Sequence, residues 1–313
     1  MKICFIGNCG HSRQAYETLK KREGAELCGF AYGSESEISG TPKSPFDGVP
    51  YYPSYADMLN EAKPDLAVIS PIFGYTGGII TECARRGIDV FAEKPVAASL
   101  SELKAVEDAV KTHNIRFCAM HYLRFEPAFY HASRLVREGA IGKPVMITAQ
   151  KSYKFGSRPD WYSDPKLYTG TVPWVGIHAL DWIYAFTQSP FIKISADSVG
   201  SPEMAAVCRF ELANCVFGTV NLDYLRPDTA PTHGDDRIRV AGENGVIEVM
   251  DGKITLINKD GASTFTPSTA DTPELLTEFL DGKEPITAEE IFHITKAAIV
   301  ARDSANTGVY ATV

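Results

Sequence analysis

The stretch from residue 1 to about residue 120 repeats one pattern: a short apolar run, a polar turn, then a helical stretch. The runs are "KICFIG" (2–7), "AELCGFA" (25–31), "DLAVIS" (65–70), "DVFA" (89–92) and "IRFCAM" (115–120). They are continuously apolar rather than alternating, so each strand has to be covered on both faces. Strands joined through helices pair in parallel, and the pattern therefore predicts an α/β arrangement, a doubly wound parallel sheet with helices on either side. Helices are expected over 11–22 and 54–61, in the stretch ending at Arg86, and over 99–114. In the last of these Ser99 or Ser101 is the cap, and apolar residues at 100, 103, 106 and 110 share a face.

Past residue 121 the rhythm changes. A helix (125–138), a strand (144–153) and a helix (175–186) are followed by strands at 192–199, 204–212, 215–224, 236–242, 245–250 and 253–257. "LANC" and "GENG" mark tight turns, so the neighbours they join should pair antiparallel. Helices over 272–281 and 287–305 close the chain. Two domains are expected: 1–120, with the parallel α/β sheet, and 121–313, an α+β domain with an open, mainly antiparallel sheet.

Composition narrows the class further. Apolar residues make up 44% and charged residues 22% of the 313, enough for sizeable cores. The net charge of −8 argues against nucleic acid or an anionic membrane as the main partner. No run approaches a membrane span, and "MKICFIGNCGH" reads as a mature first strand of a cytoplasmic protein rather than a secretory leader. The seven cysteines form no C-x-x-C pair and no cluster with His at metal spacing, so they are expected to be reduced, mostly buried thiols, with no metal site.

"FIGNCGHSRQAY" follows the first strand and opens a helix, which is where a dinucleotide fingerprint belongs. Gly7 takes the tight turn and Gly10 keeps the loop lean, but Cys9 stands at the second fingerprint position and Ser12 at the third. A cysteine there obstructs the pyrophosphate unless its side chain turns away. The helix start, from His11, still offers free N–H donors to phosphate, and Arg13 is a candidate extra charge. At the end of the second strand Tyr32 stands where an acid would hold the ribose, with Ser34 two residues on, so the choice between NAD and NADP stays open.

"DVFAEKP" ends an inner strand in Glu93, Lys94 and Pro95. Ligands of open parallel sheets bind beyond the carboxyl ends of the strands, which places Glu93 and Lys94 beside the cofactor. A lysine there polarises or hydrogen-bonds a reacting oxygen while a base takes the proton; the bland alternative is a solvated lysine capping the strand.

The glycine turn, E-K-P, "HYLRFEPAF" (121–129) and "GTVPWVGIHALD" (170–181) together resemble the glucose-fructose oxidoreductase/inositol dehydrogenase (Gfo/Idh/MocA) family, in order and spacing over nearly the whole chain. The resemblance implies an NAD(P)-dependent oxidoreductase acting on a secondary alcohol of a sugar, polyol or derivative, with 1–120 as a dinucleotide-binding Rossmann domain and 121–313 as the substrate-binding and oligomerisation domain. It makes Lys94 the lysine that orients nicotinamide and substrate hydroxyl, His178 the general base and Asp181 a substrate-contacting acid. The chain departs from the family at Trp174, which replaces the motif's first aspartate, at Thr76, where a histidine is usual, and at Cys9 and Tyr32. Trp174 is expected to be a stacking platform one helical turn before His178. Read without the resemblance, His178 and Asp181 are a satisfied pair on one helix face, and His121 and Arg124 are braces at the domain junction. "KSYKFGSRPDWYSDPKLYTG" (151–170) is aromatic and basic, with Tyr153 and Trp161 as candidate contacts to a sugar ring. Two other functions fit the same residues: a glycosidase that transiently oxidises its sugar with bound NAD, and a non-catalytic dinucleotide sensor. An open sheet with an apolar face implies a homo-oligomer, a dimer or tetramer.

Overall fold

The structure is a computed structural model that describes residues 1–200, 203–305 and 307–313. In the amino-terminal part the elements are β1 (Lys2–Ile6), α1 (Ser12–Leu19), β2 (Glu26–Ala31), α2 (Tyr55–Ala62), β3 (Leu66–Ile69), α3 (Thr76–Arg85), β4 (Asp89–Ala92), α4 (Leu100–His113) and β5 (Phe117–Ala119). The five strands form one all-parallel sheet in the order β2-β1-β3-β4-β5. β1 is the topological switch: the chain leaves it one way to β2 and the other way to β3, the place where such sheets bind ligands. Strands β3 and β5 are wholly buried, as their unbroken apolar runs require. Ser99 caps α4 by accepting the Glu102 N–H at 3.2 Å, and Asn114 ends the helix in the left-handed conformation.

The remaining elements are α5 (Pro127–Arg137), β6 (Pro144–Lys154), α6 (Pro165–Tyr168), α7 (Ile177–Thr187), β7 (Phe191–Val199), β8 (Ala205–Leu212), β9 (Phe217–Arg226), β10 (Gly234–Gly242), β11 (Gly245–Met250), β12 (Lys253–Asn258), β13 (Gly261–Phe265), α8 (Leu275–Leu280), α9 (Ala288–Ala305) and β14 (Ala311–Thr312). Strands β6 to β14 form a second sheet of nine, ordered β13-β12-β11-β10-β6-β9-β8-β7-β14. The hairpins at "LANC" and "GENG" pair antiparallel as expected. β9 and β10, however, are not neighbours: β6 lies between them, antiparallel to β10 and parallel to β9. β13 and β14 have too little apolar pattern to be read as strands; all five residues of β13 are exposed. Helices α5 and α7 and the carboxyl half of α9 bury one face of this sheet around Ile147, Trp182, Phe210 and Ile294. The opposite face is open and carries Met146, Val207, Phe217, Met250 and Ile257, each 39–51% exposed.

The chain divides into two compact units, residues 1–120 with 166–169 and 275–292, and residues 121–165 with 170–274 and 293–313. Two segments that the sequence reading assigns to the second domain therefore pack with the first. Phe279 of α8 lies 5.9 Å from the Phe91 ring of β4 under the Arg116 guanidinium, and Phe292 stacks on Phe117 of β5 at 5.3 Å. Apolar side chains at the end of the chain thus cap the edge of the first sheet. All seven cysteines are free; Cys215, expected to be buried in a strand, is exposed in the turn between β8 and β9, where φ is +68°.

Candidate functional site

In the first unit the turn after β1 is tied to its neighbours by backbone and side chain. The Gly7 N–H donates to Ala31 O at 2.8 Å, the Cys9 N–H donates to Ser70 O at 2.8 Å, and the Ser70 hydroxyl donates back to Cys9 O. Gly7 has φ +79°, and a Cβ there would lie 2.4 Å from Pro71 Cα. Gly10 has φ +54°, and a Cβ would lie 2.2 Å from Glu93 Oε2. Both glycines are therefore required by a close approach as well as by conformation.

That second contact explains the charged pair after β4. The Glu93 carboxylate is fully buried and accepts the His11 N–H at 2.6 Å and the His11 ring Nδ1 at 2.9 Å. Burial alone pushes its pKa up, but His11 and then Lys94 outweigh that and hold it below the usual carboxylate range. Glu93 is thus an anion that clamps the glycine turn from beneath, a role its place in the sequence does not reveal. Lys94 is 2% exposed, with Nζ 3.9 Å from Glu93 Oε1, which excludes the solvated-cap reading. The Lys94–Pro95 peptide is cis.

The turn fits a dinucleotide phosphate. The amides of Asn8 and Gly10 donate to no acceptor among the described residues, and α1 has no acidic residue in its first turn. The Cys9 thiol is mostly buried; burial first, then the carboxylates of Glu37 and Glu93, push its pKa up, so it adds no negative charge. Ser12 is buried at the start of α1. Arg13 lies along the helix, paired with Glu17 at 3.2 Å and over the Tyr16 ring, instead of reaching toward the turn. The Tyr32 ring meets Phe30 edge-on at 4.9 Å and its hydroxyl donates to Lys43 O at 3.2 Å, so it is occupied by packing. The Ser34 hydroxyl is buried with no partner among the described residues, and so is the hydroxyl of Thr76.

In the second unit His178 and Asp181 lie on α7, 2% and 0% exposed. The helix does not begin as a regular one: Val172–Gly176 is a π-helical turn, so Trp174 is not one ordinary α-turn from His178. Pro173, which lacks an N–H, and Gly176, where a Cβ would come within 3.2 Å of Leu222, accompany this widened turn. The Asp181 carboxylate is taken up by Arg124, whose Nη2 donates at 2.6 Å and Nε at 3.1 Å, with His121 Nδ1 at 3.4 Å. His121 and Arg124 therefore brace α7 from the loop before α5, and any substrate contact by Asp181 competes with a buried ion pair. Trp182, one turn beyond His178, donates to Leu123 O at 3.2 Å and stacks on Phe129 at 4.0 Å. These contacts pack the His178 helix against α5 and the segment before it.

Along β6 and β10, Lys151 is wholly buried and ion-paired to Asp236, its ammonium 4.5 Å from the Tyr153 ring centroid and 4.9 Å from that of Trp182. Burial pulls its pKa down to about 8 against the opposing pull of Asp236. Tyr153 stacks on His233 at 5.0 Å, and Trp161 meets Tyr162 at a tilt, ring centres 4.4 Å apart. The Arg158 guanidinium sits over Phe155, Tyr162 and Tyr224 at 5.2–5.9 Å. The loop after β6 is thus an aromatic surface carrying cations. Local periodicity could not have found the Lys151–Asp236 pair, because its partners are 85 residues apart and meet only through strand register. Among the described residues no cluster of His, Cys, Asp or Glu is placed to hold a metal ion, and no helix is long and apolar enough to cross a membrane.

Residues 1–121 match the oxidoreductase family with an NAD-binding Rossmann fold, and residues 129–248 match the GFO/IDH/MocA C-terminal domain. An oxidoreductase from Thermotoga maritima of known structure is 35% identical, with 100% of each chain covered and a TM-score of 0.93. The scyllo-inositol 2-dehydrogenase (NAD(+)) of Bacillus subtilis (strain 168) is 33% identical over 28% of this chain and 26% of its own length. Glycosyl hydrolase family 109 protein 2 of Akkermansia muciniphila is 28% identical over 45% of this chain and 32% of its own length. The chain thus spans about a quarter to a third of the length of those two curated relatives.

Proposed function

Because the chain belongs to the Gfo/Idh/MocA family of oxidoreductases, we propose that it is an NAD(P)-dependent dehydrogenase acting on a secondary alcohol of a sugar, polyol or derivative. The observation that carries the reading is the turn after β1, with the Asn8 and Gly10 amides unpaired among the described residues and the ionised Glu93 clamping the turn, next to the buried Lys94. A nicotinamide, when bound, supplies the hydride acceptor. Lys94 hydrogen-bonds the reacting oxygen and steadies the charge that develops there. His178 accepts the hydroxyl proton at a ring nitrogen, its helix held by the Arg124–Asp181 pair. The aromatic and cationic surface after β6, with Tyr153, Trp161 and Trp174, receives the sugar ring and its hydroxyls.

Free cysteines throughout agree with a cytoplasmic location. The open face of the nine-stranded sheet, with its exposed Met146, Val207, Phe217, Met250 and Ile257, agrees with a homo-oligomer. The likeness to a family 109 glycosyl hydrolase supports a second reading, in which the sugar is oxidised only transiently during glycoside cleavage. A fluorescence titration with NADH and NADPH, followed by a panel of sugars, polyols and glycosides monitored for reduced cofactor, tests both. Net reduced cofactor identifies the dehydrogenase, cleavage without it identifies the glycosidase, and cofactor binding with neither product sinks both.

A further inference from the structure

Tyr32 occupies the place where a ribose-binding acid is expected and supplies none, yet a carboxylate reaches the same rim from further along the chain. We propose that Glu37 reads the adenosine ribose and gives the site a preference for NAD over NADP; this rests on the dinucleotide-binding reading of the first unit. Glu37 ends a short 3-10 turn (Glu35–Glu37), and its side chain folds back over the carboxyl ends of the strands. Oε2 accepts the Gly33 N–H at 3.3 Å and Oε1 accepts the Ile72 N–H at 3.0 Å. Gly33 follows β2 and Ile72 follows β3, the strands that flank β1, so the carboxylate spans the switch point itself.

The loops converge there closely. A Cβ at Gly33 would lie 2.5 Å from Pro71 Cβ and 2.8 Å from Glu37 Oε1, and Pro71 also packs against Gly7. The carboxylate is reached by the Ser34 amide as well, and beside it the Ser34 hydroxyl is buried without a partner among the described residues. A carboxylate has about four acceptor positions, so three amides leave room for a ribose hydroxyl. Glu37 is partly exposed, which keeps that position reachable. It makes no ion pair with a Lys or Arg among the described residues, so nothing there would offset a 2′-phosphate.

The titratable groups facing Glu37 are the Cys9 thiol from the β1 turn and the Tyr32 phenol from β2, while the β3 loop presents Pro71 and Ile72 and α3 presents Ile79. Burial raises Glu37 to about 7 against the pull of the Ile72, Gly33 and Ser34 amides. A hydroxyl donating to the carboxylate favours its charged form, so NADH binding near neutral pH releases protons.

The test measures Kd for NADH and NADPH in wild type and Glu37→Gln, with NADH binding also followed calorimetrically in two buffers of different ionisation enthalpy. Wild type is expected to favour NADH by about tenfold or more, and Glu37→Gln to erase most of that difference, chiefly by tightening NADPH. An unchanged ratio, or an equal loss of affinity for both cofactors as from a mere brace, overturns the proposal. Should Glu37→Gln fail to fold, the wild-type ratio decides: a preference for NADH of about tenfold or more supports the role of Glu37, and equal affinity for the two cofactors refutes it. Wild type binding neither cofactor would overturn the dinucleotide reading itself.

Discussion

Lys94 and Glu37 are both titratable groups drawn away from water, fully in the first case and partly in the second, and each carries a measurable consequence. Lys94 is buried beside the anionic Glu93, so its charge is already balanced and its position set before substrate arrives. Lys94→Ala is expected to lower turnover by about a hundredfold while changing the cofactor Kd far less. Steady-state kinetics with an identified substrate, alongside the NADH titration, checks it; turnover kept within a few-fold removes Lys94 from the chemistry. For Glu37 the consequence is stability. Its folded-state pKa of about 7 lies above the ordinary 4.5, so between those values the folded protein binds more protons than the unfolded chain. Stability contributed by the protonated group is therefore lost as pH rises through that window. Glu37→Gln removes the titration, so its Tm relative to wild type should rise from acidic to mildly alkaline pH. Parallel Tm profiles across that range would show that Glu37 titrates normally.

At the scale of elements, two turns carry the candidate site residues. In the turn after β1, Gly10 combines a positive φ with contact against Glu93. Gly10→Ala should cost about 1–3 kcal/mol of stability and weaken cofactor binding, because the added methyl must displace the clamping carboxylate. Denaturant unfolding and the NADH titration test this, and unaltered binding would mean that the clamp is dispensable. In the π-helical turn before α7, the wider winding swings Trp174 off the register that a regular helix would give it relative to His178. Trp174 then has an apolar face to offer a sugar ring but no charge to lend the imidazole. Trp174→Ala should mainly raise KM and His178→Ala mainly lower kcat. Near-normal kcat in the histidine variant would end its assignment as base.

Across the whole molecule, the nine-stranded sheet leaves one face uncovered. Phe217 of β9 and Met146 of β6 sit side by side in parallel register on that face, with Val207, Met250 and Ile257 on neighbouring strands. Thr148, Arg239 and Glu248 share that face. It therefore mixes exposed apolar side chains with polar and charged ones, a composition suited to meeting a copy of itself around a two-fold axis. Phe217→Glu places a charge on this face and should shift the native mass by light scattering from oligomer toward monomer, with the far-UV spectrum retained. A wild type that is already monomeric at micromolar concentration would exclude this face as an interface.

Much of the first unit was legible because local pattern suffices there. Unbroken apolar runs demand burial on both faces, glycines mark where backbone must pass close to backbone, and helical spacing fills the gaps. For the same reason the glycine turn and Lys94 could be singled out from local pattern, whereas His178 was singled out only by the family resemblance. What local pattern cannot carry is the pairing of distant segments. The insertion of β6 between β9 and β10, the packing of Phe279 and Phe292 against the first sheet, and the Lys151–Asp236 pair depend on which apolar surfaces cover one another and on strand register. The same holds at the site: Glu93 became a clamp, Asp181 a partner of Arg124, and Glu37 a rim carboxylate only once loops remote in sequence were brought within hydrogen-bond distance. The sequence determined which elements form and where the chain must bend; tertiary structure decided which charges meet, because a buried charge persists only where folding supplies its partners.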